Sequence, residues 1–274
     1  MLLQIQSRAT KKLAIRLFSH RLLSTSFLAG KRCLITGGSR GIGQAIAFKL
    51  AAEGASCILL SRTLSMALSA ASLLDTSLGQ EHEAVQLDVA STRRVWDAND
   101  LGGTDPASID IVVNAAGMAQ SKLLCFMSPE EIEDIVFTNL MGTIYSCRTF
   151  ARPMMRSKKE KCIINISSVL SLRAGRGSAV YAACKGGIEG LTKALATEMG
   201  SKHVRVNAIR PGLIDTDMLS SSVSSEAQME FLKRIPANRT GSAEEVADAA
   251  LFLIKNRYCN GTILTLDGGF SVSL

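Results

Sequence analysis

Short apolar runs alternate along this chain with longer stretches in which apolar residues recur every three or four positions. That rhythm predicts parallel strands joined by crossover helices. Strands are expected near residues 32–36, 56–60, 84–87, 109–113, 162–166, 204–209 and 262–266, and helices at 41–53, 63–74, 128–153, 180–200 and 242–255. The runs make a doubly wound, seven-stranded parallel α/β sheet in one domain. Right-handed crossovers put helices on both faces, and a ligand site falls at the carboxyl ends of the strands where the winding reverses. One segment breaks the rhythm. Residues 91–107 ought to hold a crossover helix, but Gly102-Gly103 and Pro106 interrupt it after Trp96, so a truncated helix followed by a loop is expected. Residues 217–234, with Met218, Leu219, Met229 and Phe231 among serines, read as a mobile lid over a substrate.

The front of the chain stands apart. It carries Arg8, Lys11, Lys12, Arg16 and Arg21, with Leu13, Leu17 and Phe18 at helical spacing, and the first acid in the chain is Glu53. An acid-free, arginine-bearing amphipathic start resembles a mitochondrial presequence and lacks the unbroken apolar core of a secretory signal. Residues 1–29 are therefore expected to be a matrix-targeting segment, cleaved between residues 23 and 29, ahead of a domain over 30–274. The same segment carries most of the net charge. The chain has 31 Lys and Arg against 24 Asp and Glu, +7 overall, and without those five basic residues the balance is 26 against 24. A nearly neutral mature protein lacks the clustered positive excess of a broad nucleic-acid footprint. No apolar run has the length of a membrane span. Cysteines sit mostly inside apolar runs (Cys33, Cys57, Cys162) with no Cys-x-x-Cys pairing. They read as reduced thiols used as small core hydrophobes, not as a disulfide framework or zinc site.

Directly after the first expected strand comes Thr36-Gly37-Gly38-Ser39-Arg40-Gly41-Ile42-Gly43, and then a helix pattern with Ala45, Ile46, Ala47 and Leu50. Strand, glycine turn and helix in that order form a dinucleotide-binding Rossmann unit. Gly37 allows the tight turn, Gly41 lets backbone approach a pyrophosphate, and Gly43 permits close helix packing, while unpaired N–H groups at the helix start face the phosphates. The end of the second strand selects the dinucleotide. NAD binders place an acid there for the ribose hydroxyls, but this chain has Ser61 and Arg62, and its next acid is Asp75. Arg40 and Arg62 can clamp a 2′-phosphate with planar guanidinium forks, so NADPH is the expected cofactor.

Tyr181 and Lys185 lie four residues apart in an expected helix and so share a face, with Ser168 thirteen residues before Tyr181. A free phenol has a pKa of about 10 and is sluggish near neutrality, and a neighbouring ammonium stabilises its anion. Tyr181 reads as a proton donor for carbonyl chemistry, with Lys185 lowering its pKa.

These motifs are joined by Asp88-Val89 after the third strand, Asn114-Ala115-Ala116-Gly117 after the fourth, Asn139 in a helix, and Pro211-Gly212 with Thr216. In order and spacing the set resembles the short-chain dehydrogenase/reductase family over essentially all of residues 31–270. The resemblance implies that Tyr181 protonates a carbonyl oxygen as hydride arrives from nicotinamide and that Ser168 stabilises that oxygen. It also implies that Lys185 binds the nicotinamide ribose and that Asn139 holds a water in the proton relay. Ser39, Ile42, Asp88 and Val89 join the glycines as cofactor contacts, Asn114 steadies the sheet beside the cofactor, and Pro211, Gly212 and Thr216 line the nicotinamide. Ser167 is separated from Ser168 only by the thirteen-residue offset, and Ala115 stands where the family often has a second Asn.

Within the family, Tyr181-Ala-Ala-Cys-Lys-Gly-Gly, Asn207-Ala-Ile-Arg-Pro-Gly and Leu266-Asp-Gly-Gly resemble 3-oxoacyl-[acyl-carrier-protein] reductases. The presequence suggests the mitochondrial type II form, in the matrix. Acyl carrier proteins are acidic, so basic residues are expected at the pocket mouth, and Lys159 and Lys202 match positions that are basic in bacterial reductases of this kind. The family implies a homotetramer, with the helices at 128–153 and 180–200 as subunit surfaces. Two other readings stand beside this one. The first is a carbonyl, quinone or hydroxysteroid reductase with the same four groups. The second is a non-catalytic structural subunit of a mitochondrial complex, against which the near-neutral charge and the full catalytic set both speak.

Overall fold

Runs such as Ser-Cys-Ile-Leu-Leu-Ser and Ile-Val-Val-Asn are apolar at nearly every interior position because their strands are covered on both faces. In the computed structural model, which describes residues 26–90, 96–222 and 225–273, they belong to a single parallel sheet. Its strands are β1 (Arg32–Thr36), β2 (Ser56–Ser61), β3 (Glu83–Gln86), β4 (Ile111–Asn114), β5 (Lys161–Ile166), β6 (Val204–Pro211) and β7 (Ile263–Leu266). Their order is β3-β2-β1-β4-β5-β6-β7, so the winding reverses between β1 and β4. The helices are α1 (Gly41–Ala52), α2 (Leu64–Ser72), α3 (Pro129–Val136), α4 (Gly142–Arg156), α5 (Ala179–Gly200), α6 (Asp217–Ser222), α7 (Ser225–Lys233) and α8 (Ala243–Lys255). Of the residues expected to form a lid, 217–222 and 225–233 fall in α6 and α7, while 223 and 224 lie outside the described residues.

Alternation along each strand divides the core in two. Cys33, Ile35, Cys57, Leu59, Val113 and Ile164 pack under α1, α2 and α8 through Ile46, Leu50, Ala67, Val246 and Leu253. Leu34, Ile58, Leu60, Val112 and Ile163 face the other way, onto Phe150 and Met154 of α4 and Met199 of α5. The buried positions expected for Cys33, Cys57 and Cys162 are observed.

One helix differs from expectation. The helix expected over 128–153 is three pieces. A capping box of Ser128 and Glu131 with Pro129 at the first position starts α3, Phe137–Met141 widens into a π-turn, and α4 runs on to Arg156. In the 91–107 segment, the truncated helix expected ahead of the break after Trp96 falls on residues 91–95, which lie outside the described residues, and the part from Trp96 on is the expected loop. Asp97 Oδ1 accepts from the N–H groups of Asn99 (2.9 Å) and Asp100 (3.1 Å), which favours turns over helix there. A single 3-10 turn, Pro106–Ser108, then leads into β4. Residues just ahead of residue 30 also pack on the domain. Leu28 is 1% exposed within the core, its N–H donates to Glu53 O at 3.0 Å, and Ser26 Oγ donates to the same carbonyl. The remainder of the expected presequence, residues 1–25, lies outside the described residues. Among the described residues, no helix is long and apolar enough to cross a membrane.

Candidate active site

At the carboxyl edge of the sheet, over the reversal between β1 and β4, lies a cavity of about 500 Å³. Of the residues expected to form the site, Gly37, Ser39, Arg40, Gly41, Ile42, Gly43, Arg62, Asp88, Val89, Ser168, Tyr181, Lys185, Pro211, Gly212 and Thr216 all line it. Asn114 and Asn139 do not.

The glycine turn is shaped by close backbone approach. Gly37 has φ 66°, and a Cβ there would lie 2.9 Å from Ala116 backbone. A Cβ on Gly43 would lie 2.3 Å from Gly37 O, so only glycine lets α1 start against the turn. No side chain caps α1 and no acid sits in its first turn, leaving its leading N–H groups and partial positive charge for an anion. Beside the turn, Ser39 Oγ and Ser61 Oγ are 3.0 Å apart, and Arg40 and Arg62 are exposed on the cavity rim.

Ser168 caps a 3-10 turn, Val169–Ser171, accepting from Leu170 N–H at 3.2 Å, and its hydroxyl lines the cavity with Tyr181 and favours the phenolate. Its neighbour Ser167 is buried and donates instead to Glu189 Oε1 (2.8 Å) and Lys185 O (3.2 Å). Geometry therefore separates the two serines. Lys185 Nζ donates to Ile166 O at 2.9 Å and lies 5.5 Å from the Tyr181 ring centre. The expected lowering of the phenol does not hold. Burial raises Tyr181 above the ordinary tyrosine value, with the Ser168 hydroxyl only partly opposing it. Burial also drives the Lys185 ammonium down to about 8.

Asn139 is fully buried in the π-turn. Both of its amide hydrogens are spent, on Met118 O and Ile135 O (3.0 Å each), and its Oδ1 accepts from Met118 N–H at 3.2 Å. Its side chain thus has no hydrogen to donate to a relay water and instead fixes the backbone after β4. Asn114, expected beside the cofactor, points into the core. Its Nδ2 donates to Asn165 Oδ1 (2.8 Å), whose own amide donates to Thr192 Oγ1 (2.9 Å), tying β4 through β5 to α5.

Lys159 and Lys202 do not rim this cavity. They immediately precede β5 and β6, and in a parallel sheet that is the amino edge. Six residues of β5 separate that edge from Ser168, roughly 20 Å at 3.3 Å per residue. Basic side chains at the carboxyl edge come instead from Arg173 and Arg176, in the loop after Ser168, and from Arg234 after α7.

Three contributions escaped the reading of the sequence. Gln120 lines the cavity and holds the start of α5. Behind Ser167, Glu189 receives Arg210 Nε at 2.8 Å and also accepts from Ser171. Phe270 closes the lid end of the cavity against Phe231, with Arg173 and Arg234 at 5.4 and 5.3 Å from its ring centre. A polar residue shortly after the Asn114–Gly117 motif was the only available hint of the first; the other two have no local signal.

A family model described as "Enoyl-(Acyl carrier protein) reductase" matches residues 37–271. The chain is 41% identical over 249 residues to the 3-oxoacyl-[acyl-carrier-protein] reductase FabG of Chlamydia muridarum, covering 90% of this chain and 99% of that one. It is 37% identical over 239 residues to carbonyl reductase family member 4 of Danio rerio, covering 87% and 97%. Among solved structures, one named as a 2-deoxy-d-gluconate 3-dehydrogenase of Agrobacterium tumefaciens with bound NADP is similar with a TM-score of 0.80 at 32% identity, covering 91% and 99%.

Proposed function

Given that the chain belongs to the short-chain dehydrogenase/reductase family of oxidoreductases, we propose that it reduces 3-oxoacyl-[acyl-carrier-protein] to the 3-hydroxyacyl form with NADPH. The observation that carries this reading is the convergence of Ser168, Tyr181 and Lys185 with the glycine turn on one cavity. The residues present fit the cofactor. The turn between Gly37 and Gly43 is cut close to its backbone, the α1 amides are uncapped, and Arg40 and Arg62 stand where a 2′-phosphate is met without an opposing acid at the end of β2. When bound, NADPH supplies the hydride. Tyr181, neutral at physiological pH because burial raises it, then gives its hydroxyl proton to the substrate oxygen. Ser168 donates a hydrogen bond to that oxygen as charge develops. Lys185 stabilises the phenolate left behind and, with further N–H donors beyond the one given to Ile166, can hold ribose hydroxyls.

The relatives' names support a carrier-protein substrate, and the fish carbonyl reductase supports a second, broader reading in which small ketones or quinones are reduced. An NADPH-oxidation assay with acetoacetyl-carrier protein, crotonyl-carrier protein, simple ketones and quinones separates them. Turnover of acetoacetyl-carrier protein supports the proposal. Turnover confined to ketones and quinones favours the second reading, and turnover of crotonyl-carrier protein alone would assign double-bond reduction.

The acid-free start supports a mitochondrial matrix location, tested by an import assay. Self-association, the first step toward the expected homotetramer, is supported by charge. Glu130, Glu133 and Asp134 on α3 oppose in sign Arg148, Arg152 and Arg156 on α4, all exposed, so two copies can pair antiparallel. Sedimentation of the purified protein as a monomer would count against the assembly.

A further inference from the structure

The helix that carries Tyr181 and Lys185 is not capped by its own leading residue. Ser178 Oγ is engaged with Gly175, donating to its carbonyl at 2.6 Å and accepting from its N–H at 3.0 Å. The first N–H groups of α5 still need an acceptor. It is supplied from a segment distant in sequence. Gln120 Oε1 accepts from Val180 N–H at 2.9 Å and from Tyr181 N–H at 3.1 Å, while Gln120 Nε2 donates to Lys122 O at 2.8 Å. Two residues earlier, the Met118 N–H and C=O are both held by the Asn139 amide. The segment from 117 to 122 is therefore a strap, fastened at one end to the π-turn and at the other to the first turn of α5.

We propose that Gln120 is a positioning residue for the proton-donating phenol. By holding the backbone N–H of Tyr181 itself, it fixes where the phenol meets Ser168, and Asn139 acts on the same phenol through the strap. The rest of α5 does not depend on this cap, because Ile188, Thr192, Ala196 and Met199 anchor its later turns in the core. Loss of the cap loosens the entry of the helix and leaves the fold intact. The inference rests on Tyr181 being the proton donor but not on which carbonyl compound is reduced.

The test uses the full chain with NADPH and whichever carbonyl substrate the wild type turns over. Gln120→Met keeps the side-chain length and loses both polar ends; Gln120→Glu keeps the acceptor oxygen at the positive end of a helix. Misplacement by about 1 Å can cost on the order of 100-fold in rate, so Gln120→Met is expected to lower kcat by about 10- to 100-fold with little change in the KM for NADPH. Gln120→Glu is expected to recover most of that loss. Hydrogen exchange at the Val180 and Tyr181 amides should accelerate in Gln120→Met and stay slow in Gln120→Glu. Wild-type kcat in Gln120→Met alongside fast exchange would overturn the positioning role. Slow exchange in Gln120→Met would overturn the cap, and a glutamate variant as slow in turnover as the methionine one would show that the acceptor oxygen is not what matters. A wild-type chain that reduces no carbonyl compound would sink the reductase reading, while the exchange rates would still report on the cap.

Discussion

Replacing Lys185 by methionine should stabilise the cofactor-free protein at pH 7 while abolishing its activity. Burial lowers the Lys185 ammonium from 10.5 to about 8. At about 1.4 kcal/mol per unit, keeping it charged inside the fold costs on the order of 3 kcal/mol. The folded-state value is the depressed one. The cost is therefore complete below pH 8, fades between pH 8 and 10.5, and vanishes once the lysine is neutral in both folded and unfolded chains. Methionine fills the space of the lysine stem but leaves Ile166 O without its donor, which returns about 1 kcal/mol of the gain. The variant is thus expected to be more stable by about 2 kcal/mol at pH 7 and slightly less stable near pH 10.5. Urea midpoints at both pH values, with a shared m-value, measure the difference. Saturating NADPH should then favour the wild type, by about 2.7 kcal/mol at a hundredfold excess over its Kd. A variant weaker than wild type at pH 7, or a gap that does not shrink with rising pH, would refute the reasoning.

Tyr181→Phe should lower kcat/KM by about 10²- to 10⁴-fold while leaving NADPH affinity unchanged, as read by fluorescence titration; near-normal turnover would dismiss the phenol as the acid. Gly43→Ala forces a methyl to 2.3 Å from the Gly37 carbonyl, and backbone there yields poorly, so stability should fall by about 1–3 kcal/mol and NADPH binding should be lost by calorimetry. Removing either Arg40 or Arg62 should cost about 1.5–3 kcal/mol of NADPH preference over NADH, roughly 10- to 100-fold in the ratio of kcat/KM; an unchanged ratio would remove the 2′-phosphate clamp. Because Leu28 is buried with the core and Ser26 bonds Glu53 O, cleavage of the proposed presequence should leave Ser26 in place, and N-terminal sequencing that finds a start beyond Ser26 would contradict the packing.

The strands could be read because parallel strands covered on both faces demand unbroken apolar runs, and the phosphate turn because its parts are adjacent in sequence. What could not be read lies in contacts set by tertiary placement. The π-turn exists where Asn139 must turn inward and where Gly142 passes Val89, a Cβ there lying 2.9 Å from that side chain. Neither pattern is periodic. Lys159 and Lys202 were sensible by position, but only the parallel pairing of β5 with β6 reveals that they stand at the edge away from the cavity. Ser167 and Ser168 differ by one place along the chain, and it is Glu189, on the next helix, that takes Ser167 out of the chemistry.

The larger surprise concerns charge. Adjacency of a phenol and an ammonium suggests mutual stabilisation of their ions, but here one is pushed up and the other down, and desolvation is the leading cause of both. A cavity that disfavours either ion holds Tyr181 firmly protonated and leaves Lys185 charged at pH 7 with far less margin than a free lysine. That resting state suits the proposed reduction, in which the first demand on the phenol is to give up a proton that it must still possess. The demand for a cation comes later, when the phenolate and the developing oxyanion need a partner. Ligand groups that carry negative charge or accept hydrogen bonds from Lys185 raise its affinity for the proton at that moment, and so couple filling of the cavity to readiness of the acid. Burial that costs stability in the empty fold is, on this account, what lets binding strengthen the hold of the site on its buried cation.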